Sequence, residues 1–235
     1  MIGLYGLDIA RAAERDYTSE HKFGSNPNLT SGLQSIWSQG GLYPWGEFDA
    51  GAVTLYITST STSDTSTIKI FGLDSNWDLQ SEVLTMLGTT TVPTVKTYKR
   101  IYRMIYDHTG TNAGLITART VSGAGTVVAR IDTGVGQTLM AVYTIPKGYN
   151  GYLCQSTVGI GKGGDASFRL YIRDNHYGET AFNIKSDVNL YQSTVSQDYT
   201  VPLRFIQQTD IDFRALTSGN NFHATASFDL ILDKT

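Results

Sequence analysis

The chain has 235 residues, of which 40% are hydrophobic and 17% are charged, with a formal net charge of −3 and a pI of about 5.8. This length allows one or two domains and a hydrophobic core that needs no disulfide bonds. The slight negative charge argues against a nucleic-acid-binding surface and against a polybasic membrane-binding segment.

The first 39 residues differ from the rest of the chain, and we predict that they form an N-terminal arm. Residues 6–16 (GLDIARAAERD) have the composition of a short helix of about two or three turns. The polar stretch 19–35 shows no periodicity and contains few apolar residues, which predicts an extended or partly disordered segment. Because we find neither a secretory signal nor an apolar stretch long enough to span a membrane, we expect synthesis in the cytoplasm.

From residue 52 onward, short segments that alternate with period two predict an all-β chain. They are rich in Val, Ile, Thr, Tyr and Phe and are bounded by Gly, Asn, Asp or Pro. The predicted strands are 53–60, 66–73, 81–88, 98–106, 114–120, 126–132, 137–146, 151–160, 166–174, 200–207, 210–216 and 222–232. A Gly-rich break at 132–138 divides them into two modules: an immunoglobulin-like β-sandwich over 40–133 and a jelly-roll-like β-sandwich over 134–235. One larger sandwich is the alternative.

The segment GGLYPWGEFDAG (40–51) allows two interpretations, an aromatic ligand-binding platform or a hinge that anchors the arm. Its glycines permit unusual backbone conformations, and Pro44 fixes its own φ while favouring an extended Tyr43. Because Tyr43, Trp45 and Phe48 do not alternate strictly, they need not share one face. We therefore predict a hinge and arm anchor formed by Tyr43, Pro44, Trp45 and Phe48, with Trp45 buried at the end of the first sandwich.

No motif in the sequence predicts a catalytic, cofactor-binding or metal site. The four histidines, His21, His108, His176 and His223, are too far apart in sequence for any metal-binding motif, and we expect them to be solvated or hydrogen-bonded. Cys154 is the single cysteine and is predicted to be a small buried side chain. We therefore expect a protein that is not an enzyme and needs no cofactor.

Three further features have structural explanations. The sequence GIGKGGD (159–165) is predicted to be a glycine-rich hairpin and not a phosphate-binding loop, because no Ser or Thr follows the lysine. Alternation places Asp210 and Asp212 on one face of a strand, which we predict to be solvated. The pair Asp74 and Asp78 lies in no recognisable calcium-binding loop.

Tyrosine is unusually frequent, with 14 copies. In YKRIYRMIY (98–106) the apolar residues do not alternate strictly, which predicts a bulge or a strand that is covered on both faces. Tyrosines of this kind belong either to an interface between subunits or to an ordinary core and its rim.

Four segments together resemble a family of small all-β virion structural proteins from tailed, often marine, bacteriophages. They are IWSQGGLYPWGEFDAG (36–51), TYKRIYRMIY (97–106), QTLMAVYTIPKGYNGYLCQ (137–155) and VPLRFIQQTDIDFRA (201–215). The resemblance implies a non-enzymatic component of the virion, and we place a capsid decoration or cement protein first. The alternatives are a neck, tail or fibre component, or a host-glycan-binding module at a fibre tip.

The expected partners follow from this resemblance. We expect the chain to bind copies of itself, as a homotrimer, and the major capsid protein or another virion protein. We expect it to bind neither nucleic acid nor a membrane.

Overall fold

The computed structural model describes residues 8–9, 16–107, 110–219 and 221–235. In chain order, its strands are β1 (Tyr17–Leu29), β2 (Gln34–Ser35), β3 (Val53–Ser59), β4 (Thr67–Leu73), β5 (Leu79–Thr85), β6 (Val92–Tyr98), β7 (Arg100–Asp107), β8 (Ile116–Arg119), β9 (Val127–Ile131), β10 (Val142–Thr144), β11 (Tyr149–Ile160), β12 (Asp165–Asp174), β13 (Asn183–Tyr191), β14 (Thr194–Phe205), β15 (Thr209–Leu216) and β16 (Phe222–Lys234). A short 3-10 helix covers Trp45–Phe48. Within these ranges, no helix is long and apolar enough to cross a bilayer.

The prediction of an all-β chain built from β-sandwiches is confirmed. The chain divides into two compact units, of which unit 1 comprises Met1–Ile36 with Ala141–Thr235 and unit 2 comprises Trp37–Met140. The N-terminal residues and the C-terminal half therefore belong to one unit, which differs from the predicted boundaries after residues 39 and 133. Of the helix predicted over 6–16, only Asp8, Ile9 and Asp16 are described, and the first two are helical.

Unit 2 is a sandwich of a four-stranded sheet, β6-β3-β8-β9, and a three-stranded sheet, β5-β4-β7. An immunoglobulin constant domain has the same number of strands, but there the fourth strand lies beside the fifth and the third lies beside the sixth. Here the fourth strand of the unit, β6, pairs with the first, β3, and the third, β5, pairs with the second, β4. Unit 2 thus has the predicted size and layering but a different strand order.

The tyrosine-rich segment 98–106 is divided between β6 and β7, which meet at Lys99. The register of β7 against β4 shifts between Phe71 and Gly72, so β7 has the predicted bulge. A Cβ atom on Gly72 would lie 2.1 Å from the carbonyl oxygen of Arg100. Glycine is therefore required where β4 passes this bulge.

Unit 1 is a jelly roll. Sheet A has the order β1-β16-β11-β14, and sheet B has the order β10-β15-β12-β13, with β2 also paired to β15. When the two-residue strand β2 is left out, the eight remaining strands of unit 1 can be numbered along the chain, with β1 first and β10 second. Sheet A then has the order 1-8-3-6 and sheet B the order 2-7-4-5. This is the strand order of a double-sheet jelly roll. The sheets meet across a core in which the rings of Phe213 and Phe228 stack with centroids 5.3 Å apart.

Strand β1 replaces most of the arm that we predicted from the sequence. It pairs antiparallel with β16 from Tyr17, opposite Asp233, to Asn26, opposite Ala224. Its inward-facing residues include Lys22, Gly24 and Asn26, which are buried but not apolar. The hydrophobic alternation that identifies a half-buried strand is therefore missing, and β1 is held largely by backbone hydrogen bonds to its neighbour.

Candidate functional site

The aromatic side chains of the predicted hinge are buried in unit 2. Tyr43, Trp45 and Phe48 are each at most 5% exposed, as predicted for Trp45. The ring of Tyr43 lies edge-on between Trp37, at 5.1 Å, and Trp45, at 4.7 Å. Its hydroxyl donates a hydrogen bond to the carbonyl oxygen of Ile101 at 3.2 Å. A sugar-stacking platform needs exposed rings, so this segment does not form one.

The guanidinium group of Arg100 lies over Trp45 and Phe48 of this segment and over Trp77. The guanidinium carbon of Arg100 lies 4.8 Å from the ring centre of Trp77, 5.4 Å from that of Trp45 and 5.9 Å from that of Phe48. The ammonium group of Lys99 donates to the carbonyl oxygen of Phe48 at 2.7 Å. These cation–π contacts and this hydrogen bond hold the segment against the start of β7.

The backbone of the segment agrees with the reasons for predicting a bend. Gly40 and Gly41 have φ values of 73° and 69°, in the left-handed region that favours glycine. Pro44 precedes the 3-10 helix with a φ of −82°. The role of Tyr43, Pro44, Trp45 and Phe48 as a hinge and as an anchor for the N-terminal residues stays a prediction.

Three of the histidines form polar pairs on unit 1. Nδ1 of His21 lies 2.6 Å from a carboxylate oxygen of Asp229, and Nε2 of His223 lies 2.7 Å from the hydroxyl of Ser25. The third, His176, has Nδ1 at 3.5 Å from the amide nitrogen of Gln207. His108 lies outside the described residues. In the described part of the chain, no three His, Cys, Asp or Glu side chains are grouped as a metal site would require.

The prediction that Asp210 and Asp212 form a solvated strand face is wrong. Both lie on β15, the buried strand between β10 and β12, and both are fully buried. Asp212 accepts a hydrogen bond from Nε of Arg214 at 2.8 Å. The guanidinium group of Arg214 is in turn covered by the ring of Phe182, at 4.3 Å. Alternation identified the shared face correctly, but a loop covers that face and removes it from water.

Asp210 is the centre of a hydrogen-bonded network. One carboxylate oxygen accepts from Nε and Nη2 of Arg173, at 3.0 and 2.9 Å, and from the amide of Asn175, at 2.8 Å. The other oxygen accepts from the hydroxyl of Thr144 at 2.6 Å. A buried charge must be paired and hydrogen-bonded to be tolerated, and this one is. The network therefore fixes the loop that begins at Asn175.

That loop borders a shallow polar recess at one end of the jelly roll. Its walls come from the start of β11, the loop between β12 and β13, the end of β14 with the turn that follows it, and Thr235. The recess encloses about 490 Å³ of space open to solvent. Its lining includes Tyr149, Asn150, His176, Tyr177, Arg204 and Gln207, and we call it the loop-end groove.

Strands β13 and β14 form a second unusual surface, which we call the β13–β14 edge. They are the terminal strands of sheets B and A, and most of their residues are exposed. Their large exposed apolar side chains are Ile184, Tyr191, Val195 and Val201, of which Val201 is 80% exposed. Sequence reasoning missed β13 because neither of its faces is continuously apolar.

The remaining loops of interest are structural turns. One carboxylate oxygen of Asp74 accepts hydrogen bonds from the backbone N–H groups of Asn76 and Asp78, at 2.8 and 3.0 Å. The Gly-rich turn at 161–164 contains Gly163 at a φ of 82°. This turn joins β11 to β12, which lie in different sheets, so it is not a hairpin within one sheet as we predicted.

Comparison with known proteins finds only distant similarity. No model of a known protein family matches the chain, and no curated protein matches it. Among solved structures, the VP2 subviral particle of infectious bursal disease virus is 12% identical, with 93% of this chain and 72% of that chain covered and a TM-score of 0.27. The Gx strain structure of the same virus is 10% identical, with 93% and 76% covered and a TM-score of 0.22. Similarity at this level carries no argument about function.

Proposed function

We propose that this chain is a non-enzymatic structural protein of a virus particle that works by assembly. Both compact units are β-sandwiches, and unit 1 is a jelly roll, an architecture that serves in viral capsids, lectins and cupins. A fold by itself does not define a function, so the proposal needs a specific surface. The resemblance of four sequence segments to virion proteins of tailed bacteriophages supports the same class.

The observation that carries the proposal is the β13–β14 edge. Edge strands present unpaired backbone groups, and soluble proteins normally protect them with charged residues or a covering loop. Here the side chains of Ile184, Tyr191, Val195 and Val201 leave an apolar surface exposed to water. Exposed apolar side chains on the terminal strands of both sheets favour an interface between proteins at this edge.

Two features protect this edge from open-ended strand addition. The register of β13 against β12 shifts between Leu170 and Tyr171, which leaves Lys185 as a bulged residue. The pairing of β14 with β11 is also irregular, because the four residues 199–202 lie opposite the single residue Cys154. Pro202, within this irregularity, cannot donate a backbone hydrogen bond. Bulges, lysine and proline on an edge prevent fibre-like pairing. The edge therefore favours contacts between side chains in a closed oligomer.

We propose a homotrimer whose subunits meet at this edge and which binds the major capsid protein or another virion protein. A stable interface of standard size buries about 800 Å² on each partner. Our first choice is a capsid decoration or cement protein, for which the sequence resemblance is the support. A neck, tail or fibre component is the alternative.

The oligomeric state tests the self-association. Light scattering of the purified chain at micromolar concentration should give the mass of a trimer. Ile184→Glu and Val201→Glu should each shift that mass toward the monomer, since a charge cannot be buried without a partner. Val95→Glu is the matched control, because Val95 is an exposed β-branched residue of unit 2. A wild-type monomer, or an equal effect of the control, would contradict the proposed interface.

Copy number in purified particles separates the virion positions. On the order of hundreds of copies per particle is expected for a decoration protein, whereas about six to twelve copies is expected for a neck or tail ring. Quantitative gel analysis of intact virions measures this number. Absence of the chain from the particle would refute the virion role itself.

A further inference from the structure

We propose that the loop-end groove binds an acidic saccharide, that is, a sugar that carries a carboxylate. The groove shares β14 with the β13–β14 edge through Arg204, but none of the exposed apolar side chains of that edge lines it, and this inference does not depend on the proposed structural role. It follows from three properties of the lining residues: an exposed aromatic ring, an exposed guanidinium group and a rigid polar frame.

The aromatic ring belongs to Tyr177, which is 77% exposed. Its ring lies edge-on to that of His176, with the ring centroids 5.1 Å apart. The backbone N–H groups of both residues donate to one carboxylate oxygen of Asp174, at 3.0 and 3.3 Å. An exposed tyrosine ring on a hydrogen-bonded backbone provides an apolar face with a polar tip, which suits the mixed surface of a sugar.

The guanidinium group belongs to Arg204 on β14. Among the described residues, its side chain makes one hydrogen bond, from Nη2 to the side-chain oxygen of Asn150 at 3.2 Å, and it forms no ion pair. The guanidinium group has five N–H donors in a planar fork, so most of them remain directed at solvent. Such a fork binds a carboxylate through two parallel hydrogen bonds. This property selects an acidic ligand over a neutral one.

Hydrogen bonds hold together the loops that surround the groove. The amide of Asn175 donates to the carbonyl oxygen of Gln208 at 2.9 Å and to Asp210 at 2.8 Å, which ties the loop after β12 and the turn after β14 to the buried network. The turn before β11 is tied by the backbone N–H of Gly148, which donates to the side-chain oxygen of Gln207 at 2.8 Å. Gln208 adopts a φ of 64°, which is rare for a residue other than glycine. A preorganised site binds with less loss of conformational entropy.

The other polar groups fit hydroxyl groups. Asn150, His176 and Gln207 bring side chains that contain both donor and acceptor atoms. A hydroxyl group also donates and accepts, so several of them on one ring can be matched by this set. A simple carboxylate would use Arg204 but neither the amides nor the tyrosine ring.

Ligand-observed saturation-transfer NMR on the full chain tests the proposal with three probes. Methyl glucuronoside should bind saturably, while methyl glucoside and acetate should each bind about tenfold more weakly, since a charged hydrogen bond and the sugar contacts each account for about that factor. Arg204→Gln should reduce glucuronoside affinity about tenfold, to the level of the glucoside. Tyr177→Ala should reduce it about fivefold.

The controls separate binding from general effects. Lys162→Gln removes an exposed positive charge from the turn at 161–164 and should leave the affinity unchanged. Tyr177→Phe keeps the ring and should retain binding. Equal affinity for glucuronoside and glucoside would overturn the acidic class, and equal affinity for acetate would overturn the saccharide. Loss of binding in Lys162→Gln, or no saturable binding at all, would overturn the site.

Discussion

The substitution Trp45→Ala tests whether the aromatic cluster stabilises unit 2. The indole of Trp45 is 5% exposed and is in contact with the ring of Tyr43 and the guanidinium group of Arg100. Truncating a buried tryptophan to alanine typically costs about 3–5 kcal/mol, because both the transfer free energy and the packing around the resulting cavity are lost. We therefore expect the free energy of unfolding of unit 2 to fall by about this amount.

Tryptophan fluorescence during urea unfolding is a selective assay for this prediction. The three tryptophans, Trp37, Trp45 and Trp77, all lie in unit 2, so the signal reports on that unit alone. With a urea dependence of about 1–3 kcal/mol per molar, the midpoint should fall by about 1 M or more.

The matched control is Leu42→Ala, at an exposed position in the same segment. It should change the free energy of unfolding by no more than about 0.5 kcal/mol. If the midpoint for Trp45→Ala equals that of this control, the cluster is not a stabilising anchor.

Three other predictions concern the N-terminal strand and two titratable groups. Deleting residues 1–35 should abolish the cooperative unfolding of unit 1 in calorimetry, because β16 would lose its paired neighbour β1; a retained transition would show that β1 is dispensable. Burial raises the pKa of the Cys154 thiol, so a thiol reagent should react slowly with the native protein at neutral pH and fully in urea; fast native reaction would contradict this. Burial, reinforced by Glu82, raises the pKa of Tyr98 far above its usual value of about 10. The contribution of the protonated Tyr98 hydroxyl to the stability of unit 2 should be fully present below about pH 10, the usual tyrosine pKa, and should be lost as the pH rises above it. In urea titrations, Tyr98→Phe should weaken this pH dependence.

Local patterns predicted a large part of the fold. Strands such as β3 and β4 alternate between apolar and polar residues, and their apolar residues Leu55, Ile57, Ile68 and Ile70 form the core of unit 2. Burial of Trp45 was also predictable, because its glycine- and proline-containing segment does not support a flat exposed aromatic face. In these cases the side chains that face the interior are the apolar ones, so the sequence carries the signal.

The loop-end groove could not be predicted in this way. Tyr149 begins β11, His176 lies in the loop after β12 and Arg204 lies near the end of β14, so they are distant in sequence, and each alone looks like an ordinary surface residue. Their proximity results from the jelly-roll strand order, which brings alternate turns to the same end of the sandwich. The nearest sequence signal was the run of polar and aromatic residues around His176.

The sequence by itself therefore determined the all-β class and the layered sandwiches, since period-two burial is a property of neighbouring residues along one strand. Only the tertiary structure decided that β1 completes the C-terminal sandwich and that Asp210 and Asp212 are buried. A strand such as β1 is stabilised by backbone hydrogen bonds to β16, which lies about two hundred residues away in sequence. The burial of Asp210 and Asp212 depends on Arg173, Arg214 and the covering loop, whose charges and rings stabilise the carboxylates only after the chain has folded.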